Sequence, residues 1–266
     1  MCFRFNPPAI LLLSPHRMAD SDHPPAHSST GGVFATTHWS VVLQAGDGRS
    51  SQSSAALEKL CRTYWFPLYA FLRRKGHVEA DAKDLTQAFF ETLLERGDFQ
   101  TVNRSKGRFR TFLLASLNHF LSNERDHARA AKRGGGRTIL SLDAIPPEQF
   151  HRYEPASDLS PDKLFDQRWA MTLLEEAVAR LESEMATDGK FRQFGTLKMF
   201  LTSEPRAGEY AEVAPRLGCT AQAVAVAVHR LRQRYREIVR AEVANTVSSP
   251  TEVDEEMRHL YAALNA

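Results

Sequence analysis

The sequence predicts an all-α fold: two small helical domains joined by an acidic, proline-containing linker. Apolar residues recur at helical spacing in several long segments, and no segment shows a β-strand pattern of comparable strength. Stretches rich in proline or glycine separate these segments. The 266 residues and the 42% hydrophobic fraction suffice for packed cores. In chain order we expect a disordered leader at 1–33, a helical domain at 34–136, the linker at 137–166, a second helical domain at 167–245 and a tail at 246–266.

The first predicted helix follows the leader, which is rich in proline, serine and histidine and has no apolar periodicity. Within the leader, Met18 is an alternative start. Helical spacing begins at Ala55 and stops at Gly76, a residue type that ends helices. The apolar positions of this helix are Leu57, Leu60, Cys61, Tyr64, Trp65, Leu68, Phe71 and Leu72.

A second helix, predicted to begin near Glu79, has an apolar stripe and a polar face. The stripe, which should face the core, consists of Leu85, Phe89 and Leu93. The polar face consists of Asp84, Gln87 and Glu91. Phe90 and Leu94 lie beside that polar face. An apolar residue beside exposed acids is typical of a partner surface, although a helix flank packed on its neighbour gives the same pattern.

A third helix, predicted over 108–132 and ended by the glycines at 134–136, mixes basic and aromatic residues. Its buried positions should be Phe112, Leu113, Ala115, Leu117, Phe120 and Leu121. From Arg104 to Arg137 there are nine basic residues and two acidic ones, a local charge of about +7. This mixture suits single-stranded nucleic acid, because basic side chains bind phosphates and rings or shaped pockets accept unstacked bases. A solvated basic helix with phenylalanines in the core is the alternative, and the pattern alone favours it.

The linker carries many acidic residues and the prolines Pro146, Pro147, Pro155 and Pro161. Helical spacing resumes at Trp169. The apolar positions that follow are Leu173, Leu174, Ala177, Val178, Leu181, Phe191, Phe194, Leu197 and Phe200. A second basic region, between His229 and Arg240, has five arginines opposed only by Glu237. Two basic regions therefore flank an acidic connector.

The clearest motif is a helix-turn-helix over 210–224. Ala214 can sit where two helices cross closely, Gly218 can adopt the positive φ of the turn, and Thr220 can cap the second helix. The buried stripe of that helix should be Val224, Val228, Leu231, Tyr235 and Ile238. The outward positions are then Gln222, Val226, His229, Gln233 and Arg236, with Ala225 and Arg232 on one shoulder.

The outward face of this helix would enter the DNA major groove, where early side chains read base edges and later arginines hold phosphates. Ala225 and Val226 offer little hydrogen bonding, so readout would depend on Gln222, His229 and DNA shape. A helical hairpin buried in a bundle is the alternative, but it would not need the five arginines that follow.

Cysteine usage and hydropathy predict that the chain resides in the reducing cytoplasm. Cys2, Cys61 and Cys219 have neither CxxC nor zinc-ligand spacing, which argues against a disulfide framework and a metal site. The apolar run at 9–13 is too short for a signal-peptide core, and no segment approaches the ~20 apolar residues of a membrane span.

These motifs, in this order, resemble the extracytoplasmic-function (ECF) group of the sigma-70 family. Residues 81–90 resemble its region 2.2, residues 109–133 resemble regions 2.3 and 2.4, and residues 210–236 resemble region 4.2. The resemblance covers roughly residues 34 to 245. The segments 34–40, 133–136 and 242–244 resemble a planctomycete-type subgroup. Two positions depart from the pattern. Many members carry Trp where this chain has Phe112, and this difference bears on strand melting. Many also carry a basic residue where this chain has Ala225, and this difference bears on −35 recognition.

The resemblance implies a non-enzymatic sigma factor without cofactor or metal. Its implied partners are core RNA polymerase, through the beta-prime clamp and the beta flap, promoter DNA, and an anti-sigma factor. For polymerase binding it implies Asp81, Asp84, Leu85, Gln87, Phe90 and Glu91. For the −10 element it implies Arg108, Arg110, Phe112, Asn118, His119, Asn123, Arg125, Arg129, Lys132 and Arg133. For the −35 element it implies Thr220, Gln222, Ala225, Val226, His229, Arg230, Arg232, Gln233 and Arg236.

Two other classes of function compete with this interpretation. A stand-alone helix-turn-helix regulator would explain the C-terminal half but not the helix near Glu79. A metal-dependent hydrolase could draw on Asp84, Glu91, His119, Glu124 and His127. The sequence has no Walker-type loop or GxSxG to support such an enzyme.

The tail is acidic around Glu252, Asp254, Glu255 and Glu256. It could mask a basic patch, but a solvated helix is the interpretation that we favour from the sequence.

Overall fold

A computed structural model of the protein describes residues 51–96, 108–131 and 158–265. In chain order the α-helices of these ranges are α1 (Ser51–Arg74), α2 (Glu79–Arg96), α3 (Phe109–Ala131), α4 (Pro161–Thr187), α5 (Phe191–Leu197), α6 (Glu209–Leu217), α7 (Ala221–Ala244) and α8 (Val253–Leu264). Short 3-10 helices lie at Lys198–Leu201 and Pro250–Glu252. These ranges contain no β-strand, only an isolated antiparallel bridge between Arg108 and Val247. The all-α prediction is confirmed for this part of the chain.

The described residues divide into two compact units. The helix-turn-helix unit is Glu176–Ala241. The discontinuous unit is formed, among the described residues, by 51–96, 108–131, 158–175 and 242–264. Residues of the expected tail therefore belong to the same unit as α1, α2 and α3.

In the discontinuous unit, a tight turn joins α1 to α2. Gly76 has a φ of +95°, a conformation that L side chains rarely adopt. The amide of His77 donates to the carbonyl of Leu72 at 3.2 Å, which satisfies one of the last carbonyls of α1. Phe89 of α2 packs against Phe120 of α3, with ring centroids 5.7 Å apart. The largest fully buried side chains of this unit are Tyr64, Leu68, Tyr69, Phe71, Leu72, Phe109, Leu113, Phe165 and Trp169.

The start of α4 differs from the expected linker, because 161–166 are already helical. Pro161 suits the first helical position, where its missing N–H removes no intrahelical hydrogen bond. The hydroxyl of Ser160 accepts a hydrogen bond from the amide of Lys163 at 3.4 Å. Asp162 adds a negative charge to the first turn, where the helix dipole favours it. The stretch 137–157 of the expected linker lies outside the described residues, as does 1–50, which includes the leader and Phe34.

The tail is part of the core of the discontinuous unit, so our preference for a solvated helix was wrong. The amide of Phe109 donates to the carbonyl of Thr246 at 3.0 Å. Ser249 and Glu252 form a capping box at the turn before α8. The buried side chains of the segment are Thr246, Val247, Val253, Glu256, Leu260 and Ala263. The apolar members recur at helical spacing in α8, which explains why one of its faces packs inward.

The helix-turn-helix unit has its own apolar core, supplied by α4, α5, α6 and α7. Its fully buried members include Ala177, Phe194, Phe200 and Val224. The rings of Phe200 and Tyr210 meet edge to face, 5.3 Å apart. Phe191 is 58% exposed, so the expectation that it belongs to the buried pattern was wrong. It is the first residue of α5, where the chain has just left the turn at Gly189.

Candidate nucleic-acid interface

The turn between α6 and α7 has the positive φ and the helix cap that were predicted for a helix-turn-helix. Gly218 adopts a φ of +63° and donates its amide to the carbonyl of Pro215 at 3.3 Å. The amide of Cys219 donates to the carbonyl of Ala214 at 3.2 Å. The Thr220 hydroxyl accepts from the amide of Ala223 at 3.2 Å, which caps α7 as expected.

α7 presents one buried face and one exposed face. The predicted stripe of Val224, Val228, Leu231, Tyr235 and Ile238 is buried along its whole length. The exposed side chains of α7 include the predicted −35 residues Gln222, Val226, His229, Arg230, Gln233 and Arg236. Ala225 is half-buried at the shoulder position where the wheel puts it. The predicted outward positions therefore all face solvent, and together they form a surface that we call the reading face.

Arg232, the other shoulder residue, is half-buried and donates hydrogen bonds within its own unit. Its Nε donates to the carbonyl of Phe200 at 2.8 Å, and its Nη2 donates to the carbonyl of Ser203 at 2.9 Å. Partial burial lowers the pKa of this guanidinium below its ordinary value. Arg232 is thus engaged with the carbonyls at the end of the 3-10 helix, in the same unit, and the predicted −35 contact would require those hydrogen bonds to break.

A second arginine of α7 forms a surface ion-pair cluster. Arg234 donates from Nε and Nη2 to the carboxylate of Glu184, at 2.8 and 3.0 Å, and from Nη1 to Glu237 at 3.0 Å. The hydrogen bonds from Arg234 are the main reason that the pKa of Glu184 lies below its ordinary value. This cluster ties α7 to α4 within the helix-turn-helix unit.

A basic cleft of about 660 Å³ borders the same turn. It is lined by Gly189, Lys190, Arg192, Gln193, Arg216, Leu217, Gly218, Cys219, Ala223, Val224 and Ala227. None of these lining residues is acidic. Lys190, Arg192 and Arg216 are exposed, and Lys190 pairs with Asp188 at 3.0 Å. These cations could not be predicted as one group from the sequence, because Arg216 is distant along the chain from Lys190 and Arg192 and lines the same cleft only in the fold.

On α2 the structure divides the predicted polymerase-binding residues into exposed and buried ones. Asp81 and Asp84 are exposed, and Leu85 is half-buried. Gln87 donates to Glu91 at 3.1 Å, and both are half-buried.

Phe90 is only 2% exposed, and its ring lies 5.5 Å from that of Phe89. A partner could not contact Phe90 in this conformation, so its assignment to polymerase binding is corrected: it belongs to a packed helix flank. Phe89 and Leu93 are buried as expected.

At the start of α3, Arg110 is held by carboxylates. It is 8% exposed and donates to Glu256 from Nε at 2.6 Å and from Nη2 at 3.3 Å. Its Nη1 donates to Asp166 at 3.0 Å. Burial alone would lower its pKa, but the hydrogen bonds and charge of Glu256 and the charge of Asp166 outweigh burial and raise the pKa above its ordinary value.

Arg108 also faces α8. It pairs with Glu255, and its Nε lies 3.4 Å from Oε2 of Glu256. Arg108 and Arg110 were both expected to contact −10 DNA, and in this structure their guanidinium groups lie against carboxylates.

The other predicted −10 residues of α3 have mixed exposure. Phe112 is half-buried, with its ring 6.1 Å from that of Phe109, whereas His119 and Asn123 are exposed. Asn118 is exposed, donates to the carbonyl of Leu114 at 2.9 Å and accepts from Lys75 at 2.8 Å. Arg125 and Arg129 lie on the helical backbone of α3. Lys132 and Arg133 lie outside the described residues.

Neither a metal-binding cluster nor a membrane-spanning helix occurs in the described ranges. No three side chains of His, Cys, Asp or Glu come together there in a way that could hold a metal ion. None of the helices in those ranges has the length and apolar character needed to cross a bilayer.

Comparisons of the chain with protein-family models, with curated proteins and with solved structures find no match.

Proposed function

We propose that this protein is an alternative sigma factor of the extracytoplasmic-function type, which binds core RNA polymerase, recognises −10 and −35 promoter elements and promotes transcription initiation. The observation that carries the proposal is the reading face of α7, held at a helix-turn-helix by Gly218 and Thr220. It is exposed, and the sequence resemblance assigns this same segment to −35 recognition.

At the −35 element, α7 would lie in the major groove with its N-terminal half toward the bases. The Gln222 amide can make paired hydrogen bonds with adenine, and the Val226 side chain can contact a thymine methyl group. Arg230 and Arg236 are exposed and would hold phosphates, a role that the basic cleft beside the turn would extend. DNA contacts thus would come from exposed side chains, while Arg232 would keep the helices in place.

For polymerase binding, the proposal relies on the exposed acids of α2. Asp81 and Asp84 present negative charge at the start of that helix, and Phe90 makes no contribution because it is buried. At the −10 element, Asn118, His119 and Asn123 form an exposed polar strip on α3 that could receive unstacked bases of the non-template strand.

A stand-alone helix-turn-helix regulator is the second candidate. The observation that favours it is the burial of Phe90, which removes an apolar contact that polymerase binding was expected to use. Such regulators usually dimerise on paired half-sites. A DNA-bound dimer that does not bind core RNA polymerase would therefore support this candidate.

The deciding experiment is reconstitution with bacterial core RNA polymerase. The full chain would be mixed with core enzyme, separated by size exclusion, and the comigrating fraction tested for transcription from a library of upstream DNA fragments. We expect a stable complex and new transcription start sites.

Two variants test whether α2 carries polymerase binding and α7 carries promoter recognition. Asp84→Lys should weaken the polymerase complex, and Gln222→Ala should leave the complex intact while changing the promoters that are used. Asp162→Lys, an equal charge change at another exposed acid of the same unit, is the control for Asp84→Lys and should comigrate like wild type. DNA binding with no polymerase association would instead make the stand-alone regulator the better proposal.

A further inference from the structure

Helix α8 places two neighbouring carboxylates opposite two neighbouring guanidinium groups. Glu256 faces Arg110 with both of its oxygens, and Glu255 pairs with Arg108. The two pairs differ in solvent contact, because Glu256 is fully buried whereas the side chain of Glu255 is 57% exposed. The inner pair, Glu256 with Arg110, therefore holds α8 in place. The outer pair, Glu255 with Arg108, is open to exchange with ions from solvent.

These pairs have the same chemistry as an arginine–phosphate contact. A guanidinium recognises a carboxylate or a phosphate by parallel N–H···O hydrogen bonds, so the two anions compete for it directly. The third guanidinium nitrogen of Arg110, Nη1, donates to Asp166, and the Trp169 ring lies 5.5 Å from the guanidinium carbon. In this structure both arginines are already paired with carboxylates, so a nucleic-acid strand would have to displace those carboxylates to bind them.

α8 is attached to the chain close to the residues that it covers. Thr246 and Val247, which precede it, pair with the backbone of Phe109 and Arg108. The carboxylates therefore act on the arginines as an intramolecular competitor, at an effective concentration in the millimolar range typical of short tethers.

We infer that α8 is an acidic clamp that occupies Arg108 and Arg110 and competes for them with the phosphates of a single DNA strand. The inference rests on the proposed function, since it assumes that this face of the protein meets single-stranded promoter DNA. It makes access to the two arginines depend on displacement of a helix that the same chain supplies.

The test uses the full chain and a fluorescein-labelled single-stranded DNA oligonucleotide, with binding measured by fluorescence anisotropy over a series of salt concentrations. Glu255→Gln is the main variant, because this exposed residue can lose its charge without leaving a cavity. Glu256→Gln, alone and combined with it, tests the inner pair. Asp254→Asn, on the preceding residue of α8, changes the net charge equally and leaves Glu255 and Glu256 in place.

If the clamp competes with DNA, Glu255→Gln binds several-fold more tightly than wild type at low salt. The slope of log affinity against log salt steepens by about 0.7 for each arginine that gains a phosphate. Wild-type affinity and slope in Glu255→Gln would overturn the inference, as would an equal gain in Asp254→Asn, which would indicate net charge alone.

Hydrogen exchange supplies a readout that needs no variant. Adding the oligonucleotide to wild type should raise amide exchange in 253–264, whereas unchanged exchange there in the presence of bound DNA contradicts displacement.

The clamp and the proposed function can fail separately. Polymerase association with no effect of Glu255→Gln would reject the clamp alone. Tighter DNA binding by Glu255→Gln without polymerase association would reject the sigma-factor proposal and support the clamp.

Discussion

A double-mutant cycle measures how strongly Arg110 and Glu256 depend on each other. Replacing either partner leaves the other charge nearly or fully buried, and breaking a buried pair in this way typically costs about 3–5 kcal/mol. For this pair we expect the lower end of that range of free energies. In Arg110→Met, Glu256 keeps Arg108 at 3.4 Å, and in Glu256→Met, Arg110 keeps Asp166 at 3.0 Å. We therefore expect each single variant to lose about 3 kcal/mol of unfolding free energy.

The double variant distinguishes coupling from two independent losses. With both charges replaced by apolar side chains of similar volume, no carboxylate of this pair is left without its arginine, and the double variant should lose no more than either single one. The coupling energy is then about 3 kcal/mol.

Urea unfolding followed by tryptophan fluorescence suits this measurement, since Trp65 and Trp169 are both buried in the discontinuous unit. Lys83→Met is the control: it removes an exposed pair with Glu79 and should cost at most about 0.5 kcal/mol. Additive losses, with the double variant about 6 kcal/mol below wild type, would refute the idea that the two side chains form one buried pair.

Three further predictions concern the helix-turn-helix unit. Gly218→Ala should cost about 1–2 kcal/mol of unfolding free energy, because φ is +63° and the added Cβ meets no neighbour that could compensate; thermal melting checks it, and a wild-type melting temperature would contradict it. Glu184 has a lowered pKa in the folded protein, so its contribution to stability is complete above its ordinary pKa near 4.5 and is lost as pH falls through the lower folded value. The stability difference between wild type and Glu184→Gln should therefore shrink on acidification from pH 6 to pH 3; a constant difference in urea titrations across that range would argue against the pair with Arg234. In duplex binding assays, Arg236→Ala should weaken all sequences alike and reduce the salt slope by about 0.9, whereas Gln222→Ala should lose discrimination at one base pair by about 1–3 kcal/mol; equal effects of both on discrimination would rule out the assigned orientation of α7.

The features that were predictable from sequence are those set by neighbouring residues. The buried stripe of α7, the positive φ of Gly218 and the cap at Thr220 depend on spacing over one or two helical turns, and all three are confirmed. Partners far apart in sequence could not be predicted. Glu256 lies 146 positions from Arg110, so a local count of charge showed one basic patch and one acidic tail but not their pairing.

Two site residues have surroundings that the sequence did not predict, and the reason is the same for both. Phe90 and Arg232 occupy wheel positions at the edge between the buried and exposed faces, where spacing alone does not decide. Phe90 is buried, with its ring beside that of Phe89, and Arg232 is bound by the carbonyls of Phe200 and Ser203.

The pairing of Phe109 with Thr246 also bears on how the chain acquires its structure during synthesis. The discontinuous unit needs 242–264, which leaves the ribosome after Glu176–Ala241, a continuous stretch that is complete earlier. Contacts between such distant positions slow folding, because a long loop must close before they form. The helices α1, α2 and α3 would thus keep part of their apolar surface uncovered until 242–264 has been synthesised, and nascent chains would depend on chaperones more than the folded protein does.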